Sequence, residues 1–262
     1  MMRRVVLVLA LMAGAPSVFA QTPVPASPSP APAIEFLTRY AFHLNAEHLS
    51  TDDRRFTWDT NFGGELDFVD YGYGRGTFYA NFQAVLGEEF RAFDPSHGNY
   101  ILGGLASGRA GAVEIAGGLH HESRHLSDRA KRFAIDWNML GARVRADVTR
   151  DRMNVEARAD LRGVVFKSYV DYNWELDGEV RLRYAARPRV ALIAASGLRL
   201  IGTDGSRARG TQFGVREEGG LRFSGNGAAV ELILAVERRI DPYPLEFGTL
   251  TWFSAGFRLV SR

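Results

Sequence analysis

Side chains alternate between apolar and polar along most of this chain, and that alternation restricts the fold more than any other feature. From Phe36 the even positions read Phe36, Thr38, Tyr40, Phe42, Leu44, against Leu37, Arg39, Ala41, His43, Asn45. The next segment sets Phe56, Trp58, Thr60, Phe62, Leu66, Phe68 against Thr57, Asp59, Asn61, Glu65, Asp67. A strand turns successive side chains to opposite faces, so each segment is a ribbon with one apolar and one polar side. The pattern predicts twelve strands, at 35–48, 56–70, 74–87, 98–107, 111–123, 133–149, 152–166, 169–185, 189–202, 212–223, 228–238 and 248–260. Several exceed the roughly 5–6 residues of an ordinary globular strand and suit the roughly 9–11 of a tilted membrane-crossing strand.

The connections point the same way. Tyr71-Gly72-Tyr73-Gly74, Ser107-Gly108-Arg109, Arg150-Asp151, Ala186-Arg187-Pro188 and Ser224-Gly225-Asn226-Gly227 are short turns at every second connection. The connections between them are mostly longer and charged: 50–55, 88–97, 122–131, 203–211 and 239–247, with a short one near 166–168. Short turns at one end and long loops at the other mark a transmembrane antiparallel up-and-down β-barrel of about twelve strands over 35–262, an all-β fold. A soluble barrel or sandwich shows the same alternation with its apolar face turned inward. Aromatic residues on the apolar face, many near strand ends, favour the membrane form: Tyr40, Phe56, Trp58, Phe78, Phe82, Tyr100, Phe133, Trp137, Tyr172, Trp174, Phe213 and Trp252. Residues 142–162 are rich in Ala, Arg and Glu, yet Met153, Val155, Ala157, Ala159 and Leu161 alternate with polar neighbours, which fits a strand better than a helix.

The first twenty residues read as a signal peptide: Arg3 and Arg4, an apolar run from Val5 to Met12, and a small-x-small site at Val18-Phe19-Ala20. Residues 21–34, beginning QTPVPASPSPAPA, alternate proline with small residues and read as a periplasmic tether. The expected location is therefore the Gram-negative outer membrane. The 262 residues include no cysteine, which leaves neither disulfides nor thiolate metal sites. A scattered net charge of +2, with Lys131 and Lys167 as the two lysines, argues against a nucleic-acid partner. No phosphate-binding loop is present and no cofactor is implied. The polar face carries mixed charges, such as Glu156, Arg158, Asp160 and Arg162 beside Asp171, Glu175, Asp177, Glu179, Arg181 and Arg183, as a lumen laced with salt bridges would.

One stretch carries candidate chemistry. Residues 119–128 read Leu-His-His-Glu-Ser-Arg-His-Leu-Ser-Asp at the outer end of the fifth strand. The apolar parity of Val113, Ile115, Gly117 and Leu119 continues through His121, Ser123 and His125, toward lipid, while His120 and Glu122 face the lumen. Histidine and serine two apart on a strand are same-face neighbours about 6.5–7 Å apart along the chain. An imidazole there can take the hydroxyl proton and activate the serine. The apolar positions of the next strand, Phe133, Ile135, Trp137 and Met139, are expected to face lipid, which puts Asp136 and Asn138 on the lumen side unless a bulge intervenes, with Asp128 in the loop as a possible substitute behind His121. Zinc held by His121, His125 and Glu122 or Asp128 needs a folded loop, because residues four apart on a strand lie about 13 Å apart.

His121-Glu122-Ser123 resembles the His-x-Ser of outer membrane phospholipase A and lipid A deacylase, barrel hydrolases acting at the membrane-facing surface. The resemblance implies a lipid esterase using Ser123, His121 and a third residue, with Asp128 as the candidate. The longer stretch His121-x-Ser123-x-His125-Leu126-x-Asp128 is similar to the His-x-Ser-Ser-His-Leu-Gly-Asp signature of an uncharacterised family of outer-membrane barrels, with Arg124 and Ser127 departing from it. That resemblance implies an exported barrel without an assigned activity. Three functions stay open: a structural or passive-pore barrel, a lipid esterase, and a barrel whose loops bind a surface ligand. The implied partners are membrane lipids and lipopolysaccharide, together with the barrel assembly machinery that reads the last strand, here Trp252, Phe253, Gly256, Phe257 and Leu259.

Overall fold

The computed structural model describes residues 33–127, 129 and 133–261. The signal segment, residues 21–32 of the tether, and Asp128 lie outside them. Twelve strands form one closed antiparallel barrel: Glu35–Ser50 (β1), Trp58–Asp70 (β2), Arg75–Gly87 (β3), Asp94–Ala110 (β4), Val113–His125 (β5), Asp136–Arg150 (β6), Met153–Ser168 (β7), Tyr172–Arg187 (β8), Val190–Thr203 (β9), Gln212–Ser224 (β10), Ala228–Ile240 (β11) and Thr249–Ser261 (β12). Each strand pairs with its sequence neighbours, and β1 closes on β12 from His43 opposite Val260 to Ser50 opposite Phe253. Closure leaves no sheet edge, so backbone polar groups are satisfied strand to strand, as a lipid environment demands.

The expected strands are all present. The largest displacement is β4, which starts at Asp94 because Pro95 joins the ladder opposite Leu86, at a register irregularity that accommodates a residue without an N–H. The turn expected at Ser107–Arg109 lies instead at Gly111-Ala112, where Gly111 takes a φ of 62°. Residues 142–162 are strand on both sides of a two-residue turn.

Outside, the barrel carries an apolar band that includes Phe78, Leu119, Leu140, Val144, Leu161, Val180, Leu232 and Leu234. Inside, arginines and carboxylates pair across strands. Arg143 Nε lies 2.7 Å from Asp160, Arg216 Nη2 2.8 Å from Glu47, and Arg258 Nη2 2.9 Å from Glu218. A protein that turned these charges inward and these aliphatics outward has lipid as its solvent.

The long-loop end departs from this simple rule. Ile135, Trp137, Met139, Val170, Tyr172, Ile201 and Ile240 form one buried cluster there, and Leu49, Phe56, Val85 and Trp252 a second. Four aromatics expected on the lipid face, Phe56, Trp137, Tyr172 and Trp252, therefore point inward, as do Ile135 and Met139. They turn in because the lumen at that end is filled. Tyr243 and Leu245 of the 241–248 loop pack against the clusters. Arg209 bridges Asp171 at 2.5 Å and Asp241 at 2.7 Å, and the Tyr172 hydroxyl donates to Asp241 at 2.7 Å. Below this plug lies a polar cavity of about 770 Å³ lined by Arg143, Arg158, Arg181, Asn61 and Asn81 among others.

Candidate functional site

The site stands on the outer wall beside the plug, at the long-loop ends of β4, β5 and β6. On β5, Val113, Ile115 and Leu119 point outward, and His121 and Ser123 continue that face, both half-buried. His120, Glu122 and Arg124 alternate with them into the lumen and are buried. The parity expected for His121 and Ser123 is the parity observed.

The next strand corrects the expectation. The β5–β6 ladder runs without a break from Ser123 opposite Asp136 to Val113 opposite Ala146, with His121 opposite Asn138. Asp136, Asn138 and Leu140 thus share the outer face with His121 and Ser123, while Trp137 and Met139 face inward. No bulge in the β5–β6 pairing is needed to bring Asn138 out. The one register shift near it lies in the β6–β7 pairing, where Asn138 opposes Phe166 and Met139 opposes Val164. Asn138 is thus the candidate partner that sequence reasoning put on the wrong face.

His121 and Asn138 are in direct contact: Nδ1 of the imidazole lies 2.8 Å from Oδ1 of the amide. With the amide oxygen facing it, Nδ1–H donates, and in a neutral imidazole the lone pair is then on Nε2. That is the tautomer a general base needs. Among the described residues no hydrogen bond yet joins the imidazole to Ser123, an arrangement common before substrate tightens a site. Around the serine, Tyr100 of β4 is the cross-strand neighbour on one side and Asp136 the neighbour on the other. Asp128, the third residue that sequence alone nominated, lies outside the described residues. Among those residues no cluster of three metal-binding side chains occurs.

Across the strand from this site, charge is concentrated. Glu175 is fully buried, accepts from Trp137 Nε1 at 2.9 Å and from Arg199 Nη2 at 2.8 Å, and Arg162 reaches both Glu175 and Asp177. The Tyr79 hydroxyl lies 2.8 Å from His120 Nδ1, its ring laid across Gly103, where a Cβ would sit 2.1 Å from the ring. Single strands therefore carry the outer site on one face and a locked ion network on the other.

No family model and no curated protein matches the chain. Solved outer-membrane barrels do. The outer membrane phospholipase A of Escherichia coli superposes with a TM-score of 0.54 at 13% identity, covering 85% of this chain and 90% of that one. An active-site asparagine-to-alanine mutant of the same enzyme gives 0.53 at 13%, covering 86% and 91%. LpxR of Salmonella typhimurium gives 0.49 at 10%, covering 84% and 99%. At these identities the likeness is one of fold: a closed twelve-stranded barrel of the outer-membrane kind.

Proposed function

We propose that this chain is an outer-membrane serine esterase that cleaves ester bonds of membrane lipids, with Ser123 as nucleophile, His121 as general base and Asn138 as the residue that orients it. The observation that carries the reading is the 2.8 Å contact from His121 to Asn138, on the outer face that also holds Ser123. A serine, a base and an orienting group lie on adjacent strands, which is the minimum a nucleophilic hydrolase needs. Their place supports a lipid substrate, because the serine faces outward at the rim of the apolar band, where an acyl ester sits at the headgroup boundary. The fold neighbour whose asparagine is described as part of its active site supports the same assignment for Asn138. In the reaction Nε2 of His121 takes the Ser123 proton as Oγ attacks the ester carbonyl, and returns it to the departing alcohol. Water then releases the fatty acid from the acyl-serine by the same route.

The test uses the full chain folded in detergent micelles with phospholipid or lipid A. Wild type is expected to release fatty acid, and Ser123→Ala and His121→Ala to lose that release by about a hundredfold or more. Equal release by wild type and Ser123→Ala ends the esterase reading.

A further inference from the structure

We propose that Tyr100 and His125 form a side-chain oxyanion hole for Ser123; this rests on the esterase reading and deepens it. Four outward side chains surround the serine. His121 lies two residues before it and His125 two residues after it on β5. Tyr100 faces it from β4 and Asp136 from β6. Directly opposed residues have Cβ atoms about 4.5–5.5 Å apart, so both cross-strand side chains reach the space above the hydroxyl.

These neighbours are not electrically alike. Attack by Oγ leaves a tetrahedral carbon whose former carbonyl oxygen is an anion, and that anion needs donors about 2.7–3.1 Å away. On the β6 side it meets the Asp136 carboxyl, whose Oδ1 is buried and has no hydrogen-bond partner among the described residues. As a carboxylate it repels that negative charge and has no proton to donate. On the β4 side it meets two groups that can donate, the Tyr100 phenol and the His125 imidazole. The base approaches from the His121 end, which leaves the Tyr100–His125 corner as the favourable place for the oxyanion.

The corner is also held in place. The Tyr100 and His125 rings meet edge to face, 5.1 Å between centroids at 88°. Behind Tyr100 stands Phe82, with centroids 4.7 Å apart, and behind Phe82 stands Phe62 at 5.4 Å. This ladder of rings along the outer wall fixes the phenol before substrate arrives, and preorganised donors are those that stabilise a transition state. The Tyr100 hydroxyl makes no hydrogen bond among the described residues, so it has no protein acceptor there to give up.

The chemistry balances. The Oγ–carbonyl carbon bond forms as His121 takes the proton. The carbonyl π electrons move onto oxygen, which accepts from Tyr100 O–H and a His125 ring N–H. Those electrons return as the carbon–alkoxy bond breaks and the alcohol leaves with the proton from His121.

Two variants keep the ring packing while deleting one donor each: Tyr100→Phe and His125→Phe. Both are folded in detergent beside wild type and checked by the shift in gel mobility between folded and boiled barrel. They are assayed on a soluble fatty-acid p-nitrophenyl ester, and their affinity is measured for a long-chain trifluoromethyl ketone, which forms an oxyanion on Ser123. Each is expected to lower kcat by about ten- to a thousandfold with KM within about threefold. Ketone affinity should fall in proportion to kcat/KM, which a merely structural role does not produce. His125→Gln, which restores an N–H donor, should recover part of the loss. If Tyr100→Phe and His125→Phe both keep kcat and ketone affinity within threefold of wild type while Ser123→Ala is inactive, the oxyanion assignment is wrong and the esterase stands. If Ser123→Ala is as active as wild type, the esterase reading itself has failed.

Discussion

Asn138 shows how much one side chain's face decides. Turned inward, it would be one more amide lining a polar lumen. Turned outward, its amide oxygen meets Nδ1 of His121 at 2.8 Å. Replacing it should therefore damage turnover more than binding. Asn138→Ala is expected to lower kcat by about ten- to a thousandfold with little change in KM, because His121 survives but samples unproductive orientations. Asn138→Asp keeps an acceptor for Nδ1–H and should recover much of that loss. Steady-state kinetics on a micellar ester separate the two, and an Asn138→Ala variant with wild-type kcat removes the orienting role. On the inner face, Glu175 is the comparable single residue. Its carboxylate holds Trp137, Arg199 and Arg162 together at zero exposure. Taking away one member of a buried charge network strands its partners, so Glu175→Ala should destabilise the barrel by about 3–5 kcal/mol in urea-unfolding titrations.

At the scale of the strand, β6 explains both what the sequence reveals and what it hides. Its turn-end half is plain: Leu140, Ala142, Val144 and Val148 alternate with Arg143, Arg145 and Asp147, so its faces can be read directly. Its loop-end half is apolar on the wrong parity, because Ile135, Trp137 and Met139 fill the plug rather than meet lipid. Reading faces by hydrophobicity alone puts Trp137 out and Asn138 in. Carrying the Arg143–Arg145–Asp147 parity upward through the strand gives the observed answer, and that signal was present in the chain. Strand number, order and closure were legible because every strand repeats the same two-residue pattern. The plug was not, because a buried aromatic inside a lumen and a girdle aromatic outside it are the same residue type near the same strand end. The half of each strand that does meet lipid invites a direct test. Leu234 is mid-strand on β11 and 68% exposed. Leu234→Arg should cost about 2–4 kcal/mol of folding free energy in phospholipid vesicles. In a barrel whose aliphatics packed a soluble core the cost would be larger and independent of lipid, and in one whose Leu234 met water it would be close to zero.

For the molecule as a whole, the plug separates two environments that an open barrel would join. The polar cavity occupies the body of the barrel, while the loop end is packed with Phe56, Trp137, Tyr172 and Trp252 at exposures of 2% or less. Water and ions that enter from the turn end meet apolar side chains backed by Arg209 bound to both Asp171 and Asp241. A passive pore needs a continuous wet path, and side chains packed to that degree oppose one. The filled end instead braces the wall, with arginine–carboxylate pairs clamping neighbouring strands from inside. A rigid wall is what an outward-facing catalytic group requires, since its geometry has to hold to within about half an ångström. Reconstituted in planar bilayers at 1 M salt, the wild-type barrel should show no steady single-channel steps. Replacing Trp137 and Tyr172 together by alanine removes the largest members of one cluster, and should bring flickering conductance along with a lower unfolding midpoint. Ester cleavage should fall in that variant too, because Trp137 lies between Asp136 and Asn138 on β6 and anchors the strand that presents them. Stable conductance from wild type would mean that the loop end opens, and would favour the passive pore.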